Sequence, residues 1–323
     1  MKFPLNVTFL MLLSIVVPTY GAPQRLAALA SRIKESVNSI TGVDYELILV
    51  NDACPQGSWE VILNIIATDP KVKALNLSRN FGQHYAITAG LDVSKGDWVV
   101  VMDCDLQDLP EEIPALFNAA QEGYDIIFAS REDRQDSAFK KLGSSVFYKI
   151  LSYATDTHQT SRVANFGIYS RKVIDALLRF NEQLRFLPVN ARWLGFKTKE
   201  LTVSHAAREE GKSSYSLTKL VRLAFDVIFS FSNKPMGMLL KIGFSIAVLS
   251  VFVALTFVLR YFFIDVPVQG WTGIMVSLWF MFGCLLFAIG VVGVYVAKAF
   301  DEAKQRPIYI VDEILTYNDM NAN

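Results

Sequence analysis

Two long apolar runs near the C-terminus constrain this chain more than any other feature. They read "PMGMLLKIGFSIAVLSVFVALTFVL" (235–259) and "WTGIMVSLWFMFGCLLFAIGVVGVYVA" (271–297). As helices rising 1.5 Å per residue each would be roughly 38 Å long, against a bilayer core of about 30 Å. Lys241 is the only charge inside either run, near an end from which it can snorkel. The composition agrees, because 52% of the residues are apolar, a high share for a purely soluble protein. A buried helix pair in a soluble protein is the competing reading, and the lengths disfavour it.

The connector "RYFFIDVPVQG" is short, so the runs predict a hairpin over 234–298, with spans at about 235–260 and 271–297. Lys234, Lys241, Lys298, Lys304 and Arg306 flank its open end, while only Arg260 lies at the loop. The positive-inside rule then puts both termini, the tail 299–323 and the N-terminal half in the cytoplasm. Tyr261, Trp271 and Tyr295 suit interfacial anchors. Ahead of the first span, "SYSLTKLVRLAFDVIFSFS" (214–232) repeats apolar residues at helical spacing, with Lys219 and Arg222 opposite or at the edge. An ordinary packed helix would read the same way. Its place beside a span favours an in-plane interfacial helix, assigned to 211–233.

Residues 12 to about 210 follow another rule, a short apolar run, a turn, then an amphipathic stretch. Strands are expected at 12–20, 45–52, 72–78, 98–105 and 124–131, and helices near 24–39, 57–68, 83–93 and 110–122. Such alternation predicts an α/β domain over 1–210 with a Rossmann-like, mostly parallel sheet covered on both faces. Continuous runs such as "WVVVM" fit strands buried on both sides. The early run "FLMLLSIVVPTYG" resembles a signal peptide, but no small-residue cleavage site follows it and its β-branched part reads as a first strand. Residues 1–11 are a lead-in without an assigned place.

In a doubly wound sheet the ligand crevice lies beyond the carboxyl ends of the strands. Tyr20, Asp52, Asp103, Asp105 and Arg131 all fall there. The densest chemistry is in "VVVMDCDLQDLPEE" (99–112), five carboxylates directly behind an apolar strand. If the strand breaks at its end, Asp103 and Asp105 can turn toward one hard cation, with waters and phosphate oxygens completing its shell. The Gln107 carbonyl lies close enough in sequence to join them. Asp108, Glu111 and Glu112 better suit the first turn of the next helix, where acids complement the dipole.

The bulk charge excludes some classes. There are 31 basic and 31 acidic residues, and this balance argues against a nucleic-acid partner. Cys54, Cys104 and Cys284 are too few and scattered for a disulfide framework, and no paired spacing suggests zinc. Cys104 reads as a small filler rather than a nucleophile.

Taken together, "VVPTY", "LILVNDA", "LSRNFGQHYAITAGLDVSKGDWVVVMDCDLQDLPEEIPAL", "ASR" and "REEGKSSYSLTKL" resemble successive motifs of the family 2 (GT-A) glycosyltransferases. The branch they resemble is the polyprenyl-phosphate glycosyltransferases, the dolichol-phosphate mannose synthase-like enzymes with a C-terminal membrane hairpin. The resemblance runs from about 14 to 310. It implies a GT-A domain that moves a sugar, with inversion, from a nucleotide-sugar donor to a polyprenyl phosphate (undecaprenyl or dolichyl) at the cytoplasmic face of a membrane, a bacterial inner membrane in this reading. By position it implies that Pro18, Tyr20 and Asp52 line the nucleotide, and that Asp103, Asp105 and Gln107 surround Mg²⁺ or Mn²⁺. Arg131 and Arg208 would handle the acceptor phosphate or leaving diphosphate, with Lys140, Lys141 and Lys212 facing the lipid phosphate. Bland alternatives stand beside these: Asp52 ending a strand, the lysines forming a solvated face. The reading leaves room for a homo-oligomer.

The chain also departs from that family's pattern. Gly21-Ala22 stand where Asn-Glu often follows "PTY", and Ala53-Cys54-Pro55 replace "DGS". Asn165 in "ANFGIYSR" takes the place of a common Asp, and Ser214 that of a Lys, with Lys212 two residues away to compensate. An amide cannot act as a general base. A sugar hydroxyl needs one, whereas a phosphate monoester with a second pKa of about 6 is largely dianionic at neutral pH. Asn165 therefore favours a phosphate acceptor over the alternative, a glycolipid or other hydroxyl acceptor. A catalytically silent membrane scaffold is the reading from another class.

Overall fold

The structure, a computed structural model, describes residues 11–131, 163–180, 182–183, 185–206, 234–263 and 270–321. The interfacial helix expected at 211–233 lies outside them, as do Lys140, Lys141, Arg208 and Lys212. The chain divides near residues 214 and 306 into two compact units.

The first unit begins with the expected alternation. In order come β1 (Met11–Thr19), α1 (Pro23–Asn38), β2 (Val43–Asn51), α2 (Ser58–Ile66), β3 (Val72–Leu77), α3 (Gln83–Val93) and β4 (Trp98–Val101). A 3-10 turn (Pro110–Glu112) then leads into α4 (Ile113–Gln121) and β5 (Ile126–Arg131). Strands β1 to β4 pair in parallel, β4 and β2 on either side of β1 and β3 beyond β2. Their apolar side chains point both ways and meet helices on both faces. Leu26, Ile33, Ile62 and Leu116 of α1, α2 and α4 fill one side. Ala86 and Ile87 of α3 fill the other, with Ile174 and Leu187 of α5 (Arg171–Leu178) and α6 (Leu187–Trp193).

The sheet has eight strands in the order β7-β5-β6-β4-β1-β2-β3-β8, and three of them were not among the sequence expectations. Strand β6 (Val163–Ser170) slots in antiparallel between β4 and β5, β7 (Thr198–Val203) adds parallel to β5, and β8 (Val311–Thr316) adds antiparallel to β3. The insertion of β6 rests on Gly167, where a Cβ would come 2.7 Å from the Ile127 carbonyl oxygen. That glycine breaks the apolar run that would mark a buried strand. Strand β8 follows the membrane-length helices in the chain. It covers the β3 edge, an open row of backbone groups that folded proteins protect. Leu315, Tyr317 and Met320 pack on the core, and the Tyr309 hydroxyl donates to Asp92 Oδ2 at 3.0 Å.

At the N-terminal end of the strands the buried Glu46 holds three elements together. Its Oε1 accepts from Ser14 Oγ and from the Lys95 N–H, both at 2.6 Å, and its other oxygen pairs with Lys73. Burial alone would raise this carboxyl. The bonds from Lys73, Ser14 and Lys95 outweigh burial and hold it below the ordinary glutamate range. Glu46→Ala is expected to cost about 2 kcal/mol, because it strands buried donors and a cation. A depressed carboxylate stabilises the fold above its unfolded pKa and loses that contribution as pH falls through the folded value. Urea unfolding should therefore show the gap between wild type and variant closing below about pH 4.

The second unit holds α7 (Lys234–Phe263) and α8 (Trp271–Ala303). Met236 at the start of α7 lies beside Tyr295 near the end of α8, so the two helices run antiparallel. Among the described residues, Ser277–Ala303 is one helix long and apolar enough to cross a membrane. Leu240 and Phe244 on α7 and Trp279 and Phe287 on α8 are mostly exposed.

Candidate active site

The carboxyl ends of β4, β1 and β2 lie side by side, which brings Asp103, Tyr20 and Asp52 to one rim of the sheet. Strand β1 is locked to β2 there: Thr19 Oγ1 donates to the Val50 carbonyl at 3.1 Å, and the Asp52 N–H donates to the Thr19 carbonyl at 3.1 Å. Pro18 is buried in β1, and Tyr20 just past it is 52% exposed at the rim. Gly21 has φ +80°, a left-handed backbone that favours glycine, and its N–H donates to Cys54 Sγ at 3.1 Å. Two departures from the family pattern, at 21 and 54, thus meet in one contact.

Asp52 is buried and occupied. Its Oδ1 accepts from the Phe81 N–H at 2.7 Å and its Oδ2 from the Gly82 N–H at 2.9 Å. It ties the end of β2 to the "RNFGQ" loop and to the start of α3. Burial raises its pKa, opposed incompletely by those two N–H groups and by Arg79. The residue after it, Ala53, sits at φ +48°, which costs an L-residue about 1 kcal/mol.

Strand β4 ends at Val101, and the chain leaves the sheet through a turn over 102–108. Leu106, at φ +62°, is the second left-handed non-glycine at this rim, and strain of this kind concentrates at functional sites. Asp103 Oδ1 accepts from Gln83 Nε2 of α3 at 2.6 Å. Asp105 Oδ1 accepts from the Gln107 N–H at 3.1 Å, and Arg25 of α1 donates to the Asp105 carbonyl at 2.8 Å. The Gln107 carbonyl accepts from the Ala206 N–H at 3.1 Å, so the segment just after β7 braces the turn as well. Burial pushes the Cys104 thiol up to about 11, which suits a filler.

Asp108 corrects the expectation that grouped it with the next helix. It is 2% exposed, its Oδ2 accepts the Asp103 N–H at 3.2 Å, and its Oδ1 faces His205 Nδ1 at 3.7 Å. It belongs to the turn. Glu111 and Glu112 lie in the 3-10 turn before α4, as expected, with Glu111 gripped by both arms of Arg32 at 2.7 Å.

The remaining residues group by topology. Arg131 ends β5, in register with Val203 of β7, at the same rim as Asp103. Strand β6 runs the other way, and its register pairs Val101 with Gly167. The sequence reading missed Arg25, Gln83 and His205, whose partners lie far along the chain. Only the string "FGQH" hinted at Gln83.

The rim supplies hard oxygen donors for a divalent cation: two carboxylates one residue apart, on a turn braced from three sides. Among the described residues no group of three or more His, Cys, Asp or Glu forms a self-sufficient metal cage. Two carboxylates with substrate phosphates is the arrangement usual for Mg²⁺, and the donor set fits it.

A family model described as Glycosyl transferase family 2 matches residues 14–178. The undecaprenyl-phosphate 4-deoxy-4-formamido-L-arabinose transferase of Aeromonas hydrophila is 33% identical over 314 residues, covering 96% of each chain. The uncharacterized glycosyltransferase YkcC of Bacillus subtilis is 36% identical over 304 residues, 93% of each. Among solved structures, mannosyl-3-phosphoglycerate synthase from Rubrobacter xylanophilus aligns with a TM-score of 0.46 at 14% identity, over 68% of this chain and 72% of that one.

Proposed function

The chain belongs to glycosyltransferase family 2, and from that premise we propose that it moves a sugar from a nucleotide-sugar donor to a polyprenyl phosphate at the cytoplasmic face of a membrane. The observation that carries the acceptor is the reach of the likeness. It extends over 96% of a relative whose named acceptor is undecaprenyl phosphate, apolar C-terminal helices included.

The reaction is an in-line displacement. An oxygen of the lipid phosphate forms a bond to the anomeric carbon, the bond from that carbon to the donor diphosphate breaks on the opposite face, and the configuration inverts. In this reading Asp103, Asp105 and Gln107 would hold Mg²⁺ or Mn²⁺, which supplies charge neutralisation for the leaving diphosphate. Gln83 fixes the rotamer of Asp103, and Arg25 and Asp108 hold the turn, so its carboxylates need no rearrangement as charge develops. Pro18 and Tyr20 line the nucleotide. Asp52, with both oxygens on backbone N–H groups, serves it by shaping the loop at Phe81 and Gly82. Arg131, Arg208, Lys140, Lys141 and Lys212 take the acceptor phosphate. Asn165 removes no needed base, because the phosphate arrives already ionised.

The covalent path supports two spans. Strands β3 and β8 share one sheet, which favours an even number of membrane crossings in the chain between them. One crossing would leave β8 on the wrong side.

Membranes carrying the protein should consume one nucleotide sugar from a panel when given polyprenyl phosphate and Mg²⁺ or Mn²⁺. The expected product is an acid-labile lipid monophosphate sugar. A stable glycoside formed on a hydroxyl acceptor, with lipid phosphate ignored, would replace this reading with the glycolipid one. No transfer at all would point to a scaffold.

A further inference from the structure

A small cavity between α3 and α6 is lined by His84, Thr88, Arg185, Phe186 and Asn190 with leucines around them. Thr88 Oγ1 donates to the His84 carbonyl at 2.8 Å, and Arg185 donates to the carbonyls of Leu177 and Phe180. His84 Nδ1 and Asn190 Oδ1 are shut off from solvent and have no hydrogen-bond partner among the described residues. Asn190 is 3% exposed, and the His84 ring packs its edge on Phe186 at 4.8 Å. Burial lowers the His84 pKa to about 4, so the ring is neutral at pH 7. Buried polar atoms almost always find partners. What these two lack is a group that both donates and accepts.

The cavity volume is about 20 Å³, room for one oxygen and not for a ring. A hydroxyl matches that size, and it satisfies a neutral imidazole nitrogen and either orientation of the Asn190 amide. Water would match too. The location favours a sugar: His84 directly follows Gln83, whose side chain grips Asp103. The sugar hangs from the diphosphate that Asp103 would face, so its hydroxyls are the O–H groups brought to the start of α3. We propose that His84 and Asn190 form a specificity pair that reads one hydroxyl of the transferred sugar, an inference that rests on the glycosyl-transfer reading.

The test measures binding, which does not involve the acceptor. Take the nucleotide sugar that the wild type selects from the panel, its monodeoxy analogues, and the bare nucleoside diphosphate, and compare wild type with Asn190→Leu. The variant should bind the full donor about 10- to 100-fold more weakly, with nucleoside diphosphate affinity unchanged. One monodeoxy donor, already that much weaker on the wild type, should lose nothing further. If every donor loses equally, or if only the melting temperature falls, the cavity holds water alone and the proposal is overturned. Should Asn190→Leu fail to fold, Asn190→Ser and His84→Gln carry the same comparison. Lipid phosphate failing as acceptor would sink the functional reading and leave these binding ratios standing.

Discussion

Asp105→Asn is expected to reduce sugar transfer by about a thousandfold or more, equivalent to about 4 kcal/mol of transition-state stabilisation. The size follows from what the side chain does and does not do. Among the described residues its own hydrogen bond is the one from the Gln107 N–H at 3.1 Å. Asparagine retains an acceptor there. The brace from Arg25 goes to the Asp105 carbonyl, which any residue supplies. The fold therefore has little to lose, and the loss falls on the charge that the cation and diphosphate need. Asp103→Asn should cost a similar factor in rate and also loosen Gln83, whose amide grips the Asp103 carboxylate. Initial rates of donor consumption across a Mn²⁺ titration, paired with thermal unfolding, separate these effects. An Asp105→Asn enzyme within tenfold of wild type at saturating cation would remove Asp105 from the cation site.

Periodicity exposed the part of the fold built from continuous apolar strands. Strands β1 to β5 and the helices between them follow from runs such as "WVVVM" because strands buried on both faces leave no polar interruption. The strands that escaped have ordinary physical reasons. Gly167 interrupts β6, "TKELTV" of β7 is short and half polar, and β8 is a two-sided edge whose pattern is dominated by exposed residues. The candidate site divides the same way. Asp103, Asp105 and Asp52 were legible because acids directly behind a buried strand have few other uses. Gln83, Asp108 and His205 were not, since each acts through a contact that only the folded sheet creates: α3 against the β4 turn, and that turn against the segment just after β7. Asp52 itself was legible as important and illegible in its manner of working, because nothing in sequence says that both oxygens are spent on backbone N–H groups.

That spent carboxylate sets the second large expectation. Asp52→Ala strands the N–H groups of Phe81 and Gly82 inside the rim, which costs about 3 kcal/mol of stability. It also releases the loop that aims Gln83 at Asp103, so donor affinity should fall about a hundredfold as preorganisation is lost. Asp52→Asn is the sharper probe. It retains one acceptor and turns an amide N–H₂ toward the second N–H, yet it ends the burial of a charge. Burial, the largest influence on this carboxyl, raises its folded pKa above the ordinary aspartate range in spite of the two N–H groups and Arg79. An acid with a raised folded pKa contributes stability that is full below its unfolded pKa and is lost as pH rises through the folded value. Wild type therefore gains from Asp52 on acidification, and the asparagine variant has nothing there to gain. The stability gap between them should be widest near pH 4 and narrowest at neutral pH, opposite in sign to the Glu46 variant. Urea midpoints for both variants across pH 4 to 7 decide it: parallel curves for Asp52→Asn and wild type would mean that the Asp52 carboxylate is held by its N–H donors strongly enough to cancel its burial.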